Sequence, residues 1–175
     1  MTRMLRAGVS LFLAVLLVAS SITCLAAAPK TSAVSFVLME AESGRVIASG
    51  NELQERSIAS TTKIMTCLVA LEHSALEEQV TVTRAHLREG SSMYLAEGEV
   101  LTMEELLYGL MLPSGNDAAE CIADHCGGEG GSRQFVAWMN DKAKALGMEH
   151  TSFANPSGLD EQGHCSCALD MARLA

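Results

Sequence analysis

The stretch STTKIMTCLVALE, residues 60 to 72, limits what this chain can become more than any other. Ile64, Met65, Cys67, Leu68, Val69, Ala70 and Leu71 leave a helix here apolar on nearly every side, and such a helix belongs in a core. Lys63 stands at its head, where an ammonium group is costly to bury unless something holds it. Ser60 precedes it by three positions, one turn away on the same face, within reach of the amine. A serine hydroxyl is a weak nucleophile until a base takes its proton, and a lysine becomes that base when an apolar site lowers its pKa. The positive end of the helix adds backbone N–H groups that favour a developing oxyanion. The plainer alternative is that Ser60 caps the helix while Lys63 reaches back to water.

Around this helix the pattern is two strands followed mostly by helices. Val34 to Met39 and Arg45 to Ser49 alternate as a hairpin about the turn Glu42-Ser43-Gly44. After the apolar helix come a β-leaning QVTVT and an irregular REGSSMYLAEGE. Thr102 with Glu105 forms a capping box for a second helix, whose apolar stripe is Leu106, Leu107, Leu110 and Met111. Pro113-Ser114-Gly115 breaks it, and Asn116 or Asp117 can cap a third helix ending at Gly127-Gly128. Ser132 is expected to cap a fourth, with Phe135, Val136, Met139, Ala143 and Leu146 on one face and Gly147 as its stop. TSFANPSGLDEQGH reads as a loop before a last helical stretch, Ala168 to Ala175. A lone hairpin needs more strands or a helical cover, so the class is α+β with the sheet's remaining strands expected beyond residue 175.

The first 28 residues stand apart. Arg3 and Arg6, the apolar run Leu11 to Val18 and the small residues Ala26-Ala27-Ala28 read as a secretory signal peptide, leaving 29 to 175 for the fold. That segment holds two of the 12 basic residues and none of the 21 acidic ones, so the remainder carries a net charge of −11. Nucleic acid and anionic membrane surfaces are poor partners for such a chain. Cys67, Cys121, Cys126, Cys165 and Cys167 are an odd set with no disulfide framework, and neither C-x3-H-C nor H-C-x-C is an established zinc spacing. No metal or other cofactor is expected.

A second motif, Ser114-Gly115-Asn116, lies in the break between two helices. A hydroxyl and an amide displayed there can relay a proton and hold a substrate amide, although a lone tripeptide also reads as a simple turn. S-x-x-K followed by S-x-N and K-T-G is the signature of penicillin-binding proteins and class A β-lactamases. IASTTKIMT, GSSMYLAEGEVLTMEELLYGLMLPSGNDAAECIA, FVAWMNDKAKALGMEHTSFANPSGL and DMARLA together resemble consecutive stretches of the D-alanyl-D-alanine carboxypeptidases, the low-molecular-mass penicillin-binding proteins of the serine peptidase type. The resemblance covers nearly all of residues 32 to 175. It implies the penicillin-binding protein/β-lactamase-like fold, here incomplete, with N-terminal strands and a helical cluster but without the C-terminal strands.

The resemblance also implies a reaction at the cell wall. Ser60 would attack the bond between the two terminal D-alanines of a peptidoglycan stem peptide, and water would then hydrolyse the acyl-enzyme. β-Lactams would acylate the same serine. Residue by residue, it makes Ser60 the nucleophile and Lys63 the proton acceptor. Ser114 would be the hydroxyl that passes a proton to the leaving amine, and Asn116 the amide that positions substrate. His164 falls where the family commonly has His-Tyr-Ser-Thr, and HCSC here leaves the local packing open. No K-T-G follows, and Lys30-Thr31-Ser32 lies at the wrong end, so the 175 residues alone are expected to lack one wall of the site and to be inactive. Any membrane anchor is expected in the same absent C-terminal part. A class A β-lactamase usually carries Ser-Asp-Asn and a glutamate-bearing E-x-x-L-N loop, both lacking here. A non-catalytic penicillin-binding module would have no need of a buried lysine.

Overall fold

Helix α1, Thr62–His73, packs against three further helices: α2 (Met103–Met111), α3 (Asn116–Gly127) and α4 (Gly131–Ala145). This arrangement comes from a computed structural model that describes residues 30–175, of which Ser32–Ala175 form one unit. The proposed signal segment lies outside the described residues. Met65, Val69, Leu106, Leu110, Ile122, Phe135 and Met139 interlock where the four helices meet, and none is more than 1% exposed. α1 is less uniformly buried than its sequence suggests. Leu71 is half exposed, and the buried face includes Thr62, Lys63 and Thr66 beside Met65, Val69 and Ala70.

Strands β1 (Phe36–Met39) and β2 (Val46–Gly50) pair antiparallel, with Phe36 opposite Gly50 and a register shift between Leu38 and Met39. Both the turn and the hairpin's existence agree with the sequence reading; Gly44 supplies the φ of +68° that the turn requires. Val34 and Arg45 fall outside the strands. Beyond Phe36 the ladder gives way to side-chain ties: Asn51 Nδ2 donates to the Val34 carbonyl at 2.8 Å, and Ser35 Oγ donates to the Asn51 carbonyl at 2.6 Å. The hairpin is covered on one side by α5, Ala168–Leu174.

A second antiparallel pair joins β3 (Gln79–Thr81) to β4 (Val100–Thr102), burying Val80 against Leu101. β4 has no counterpart in the sequence reading, because three residues directly before a helix cap carry no readable alternation. The Thr102–Glu105 capping box is present in both directions: Glu105 N–H donates to Thr102 Oγ1, and Thr102 N–H to Glu105 Oε2. Met111 departs from the predicted stripe and is 46% exposed, at the end where α2 runs out into the loop.

The other caps differ from expectation. α1 starts at Thr62 after a 3-10 turn, Ala59–Thr61, so Ser60 is not its cap. Gly115 occupies the cap position of α3, leaving the Asn116 and Asp117 side chains free for tertiary contacts. α4 begins at Gly131 with no side-chain cap, and Ser132 lies inside it; Gly128 and Gly131, both at φ +55°, make the turn that a capping serine would otherwise set. No helix among the described residues is long and apolar enough to cross a membrane.

Candidate active site

The buried amine at the head of α1 is fully engaged. Lys63 is 2% exposed, and its Nζ donates to the Ser157 carbonyl at 2.6 Å and to Asn116 Oδ1 at 2.8 Å. The third group around it is Ser60 Oγ at 3.3 Å. The Asn116 amide cannot turn to offer its NH2 instead, because Nδ2 donates to the Glu89 carbonyl at 2.8 Å. Both short contacts are to acceptors and use two hydrogens. A neutral amine has only two, so its lone pair is left facing the Ser60 hydroxyl. Burial pushes Lys63 below its ordinary 10.5, opposed by the negative charge of Asp117. The arrangement can take a proton from Ser60.

Ser60 itself is exposed at a cavity of about 290 Å³ whose lining includes Gly90, Ser91, Asn116, Ser157 and Leu159. The residue before it, Ala59, has φ +46°, a left-handed conformation unusual for a residue with a side chain. Such strain persists only where surrounding structure enforces it, and it clusters at functional sites. Here the enforcing neighbour is Gly158. A Cβ on that glycine would lie 1.9 Å from the Ala59 carbonyl oxygen, so the two backbones are in closer approach than any other residue would permit.

The loop carrying Gly158 is a wall of the site, which sequence alone did not disclose. Asn155 Oδ1 accepts from the N–H groups of Ser157 and Gly158 at 3.2 and 2.8 Å, folding the loop back on itself. The Pro156 carbonyl then accepts from Thr66 Oγ1 at 2.6 Å, while that of Ser157 accepts from Lys63. Two polar groups on the buried side of α1, Lys63 and Thr66, are thus matched to this loop's carbonyls. The clue in the sequence was N-P-S-G, an asparagine that can close a turn followed by a glycine that can approach closely.

Of the four residues singled out in the sequence, the structure brings together Ser60, Lys63 and Asn116. Ser114 is half-buried with φ +59°, and among the described residues no hydrogen bond joins its hydroxyl to the other three. His164 has a definite place. Its Nδ1 accepts from the Ala154 N–H at 3.1 Å, so Nε2 carries the proton and donates to Thr62 Oγ1 at 2.8 Å. Burial pushes this ring below its ordinary 6.5, against the pull of Glu161 and Asp160.

A pH dependence follows from that ring. Below 6.5 the unfolded chain binds a proton at this histidine before the folded one does, so folding stability falls as the pH drops from there towards the lowered folded value. Thermal unfolding between pH 7 and 5 should show this slope, and His164→Gln should reduce it. An equal slope in the variant would assign the effect to other histidines.

Cys121 and Cys126 both lie on α3, their thiols pushed up to about 12 and about 11, chiefly by burial. Among the described residues all five cysteines are free, and no three metal-ligating side chains converge.

The family model for D-alanyl-D-alanine carboxypeptidases matches residues 22–175. This chain belongs to that family. It is 41% identical over 147 residues to the D-alanyl-D-alanine carboxypeptidase DacF of Bacillus subtilis, covering 81% of this chain and 37% of that protein. Against DacD of Escherichia coli the identity is 40% over 159 residues, 84% of this chain and 40% of the relative. Solved structures of DD-peptidases superpose on most of this chain. That from Mycobacterium tuberculosis H37Rv gives a TM-score of 0.81 at 34% identity, covering 87% of this chain and 58% of that one. The Streptomyces K15 DD-transpeptidase gives 0.80 at 32%, covering 86% and 62%. The fold is therefore that of the penicillin-binding DD-peptidases, and the chain spans less than half the length of the two curated relatives.

Proposed function

We propose that this chain forms the nucleophile-bearing part of a serine-type D-Ala-D-Ala carboxypeptidase acting on peptidoglycan stem peptides. The observation that carries the reading is the Lys63 amine, buried, with two hydrogens committed to Asn116 and Ser157 and its remaining face on Ser60. Ser60 Oγ attacks the carbonyl of the penultimate D-alanine as its proton passes to Lys63. The tetrahedral intermediate collapses, the C–N bond breaks, and the departing D-alanine amine takes up a proton relayed through Ser114. Water then adds to the ester as Lys63 accepts its proton, the acyl C–O bond to Ser60 breaks, and that proton passes from Lys63 to Ser60 Oγ. Asn116, anchored at both ends of its amide, orients the substrate peptide. β-Lactams acylate Ser60 by the same first step. Residues 1 to 28 serve as an export signal, in keeping with a substrate outside the cytoplasmic membrane.

The full gene product containing these residues should form a covalent adduct with a labelled penicillin, and peptide mapping by mass spectrometry should place the label on Ser60. The same preparation should release D-alanine from a D-Ala-D-Ala peptide. A label on another residue, or an unlabelled protein, would sink the assignment.

A further inference from the structure

The nucleophile and its base occupy one side of the cavity; the opposite wall, residues 89 to 95, has little secondary structure of its own. What holds it is the beginning of α3. The Asn116 N–H donates to the Ser91 carbonyl at 2.7 Å, and Asn116 Nδ2 to that of Glu89. Asp117, 1% exposed, accepts at both carboxylate oxygens: from the Met93 and Ala118 N–H groups at 3.1 and 2.9 Å on Oδ1, and from Ser92 Oγ and the Leu95 N–H at 2.6 and 3.0 Å on Oδ2. Those bonds to Ser92, Met93 and Leu95 span Tyr94, which sits at φ +65° with its side chain 90% exposed. A strained residue with so little burial of its own is held through its neighbours: the Tyr94 N–H donates to Ser92 Oγ at 2.8 Å, and Ser92, Met93 and Leu95 are in turn bonded to the Asp117 carboxylate.

We propose that Asp117 is a positioning residue for the Ser60 site, fixing the wall that carries Gly90 and Ser91 at its distance from Lys63 and Asn116. This rests on the acyl-enzyme reading above. Neighbouring residues of one helix turn thus set two sides of the cavity: Asn116 reaches the base, and Asp117 pins the opposing loop. The helix start suits a carboxylate, since the N–H groups and the positive end of the dipole stabilise its charge. Its contacts hold it below the ordinary carboxylate range despite burial. The charge also reaches Lys63, whose immediate partners Ser60, Asn116 and the Ser157 carbonyl are all neutral; His164, bonded to Thr62 beside it, is biased to the neutral form by burial.

The test measures penicillin acylation of Ser60 against pH in the full gene product and its variants. Asp117→Asn keeps the shape but turns one oxygen into an NH2 that cannot accept, stranding the Leu95 N–H in one orientation and those of Met93 and Ala118 in the other. Acylation should fall about 100-fold from loss of wall geometry. Its acid limb should also move to lower pH, since removing the charge makes Lys63 easier to deprotonate. A merely structural residue would not move that limb. Ser92→Ala, which removes both the bond to Asp117 and the acceptor of the Tyr94 N–H, should slow acylation about 3- to 10-fold. An Asp117→Asn protein that acylates at the unaltered rate with an unmoved limb overturns the proposal, even if it melts earlier. If that variant does not fold, unchanged acylation by Ser92→Ala does the same. Failure of the acyl-enzyme reading shows instead in the unaltered protein, as no adduct on Ser60, and removes both.

Discussion

Replacing Lys63 with arginine should reduce penicillin acylation of Ser60 about 10²- to 10⁴-fold, the range supplied by a positioned general base. Arginine keeps the positive charge and the donors for Asn116 and Ser157. What it loses is the ability to give up a proton anywhere near neutrality. The unaltered enzyme should show an acid limb, because Lys63 acts as base only above its pKa and burial has brought that value down. Activity is lost as the pH falls through the lowered value, and no such limb should be seen in the residual rate of the arginine variant. Guanidinium is also larger than ammonium, and the cage formed by Ser60, Asn116 and Ser157 is tight. Thermal unfolding recorded alongside separates misfolding from lost chemistry. Near-normal acylation by a folded Lys63→Arg protein would make the lysine a structural residue and leave Ser60 without a base.

What the sequence disclosed was local, and what it hid was long-range. The Ser60/Lys63 spacing, the Thr102–Glu105 box, the hairpin turn at Gly44 and the apolar face of Phe135, Met139 and Ala143 each depend on neighbours a few positions away. Why Lys63 is tolerated in a core does not. Its two acceptors stand 53 and 94 residues downstream, and one is a backbone carbonyl, which any residue type would supply. Side-chain chemistry misled at α3 for a related reason. Asn116 and Asp117 are good capping residues, yet each makes bonds to residues 89 to 95 that a cap could not provide, while glycine takes the cap position. A propensity names what a residue does with its own backbone. The site was assembled from what these residues do with someone else's.

Gly158 gives this its most direct test. Gly158→Ala should depress Ser60 acylation about 100-fold or more, a loss expected from displacing a reacting group by an ångström or so. Two effects combine at this position. Its φ of +85° disfavours any side chain, and the added Cβ would meet the Ala59 carbonyl oxygen at 1.9 Å, the carbonyl carbon at 2.5 Å and Thr62 Oγ1 at 3.0 Å. Backbone cannot swing aside as a flexible side chain can. Either Ala59 leaves its left-handed conformation, carrying Ser60 with it, or the 155–158 loop retreats and takes the Ser157 carbonyl from Lys63. Both routes reach the nucleophile or its base. Gly147→Ala is the matched control: its φ of +71° imposes comparable strain at the end of α4, but no atom lies within 4 Å of the new Cβ. That variant should lose about 1–2 kcal/mol of stability and acylate normally. If the two alanine variants, measured well below their melting temperatures, acylate at the same rate, contact between Gly158 and Ala59 does not position Ser60. The strain at Ala59 would then need another cause.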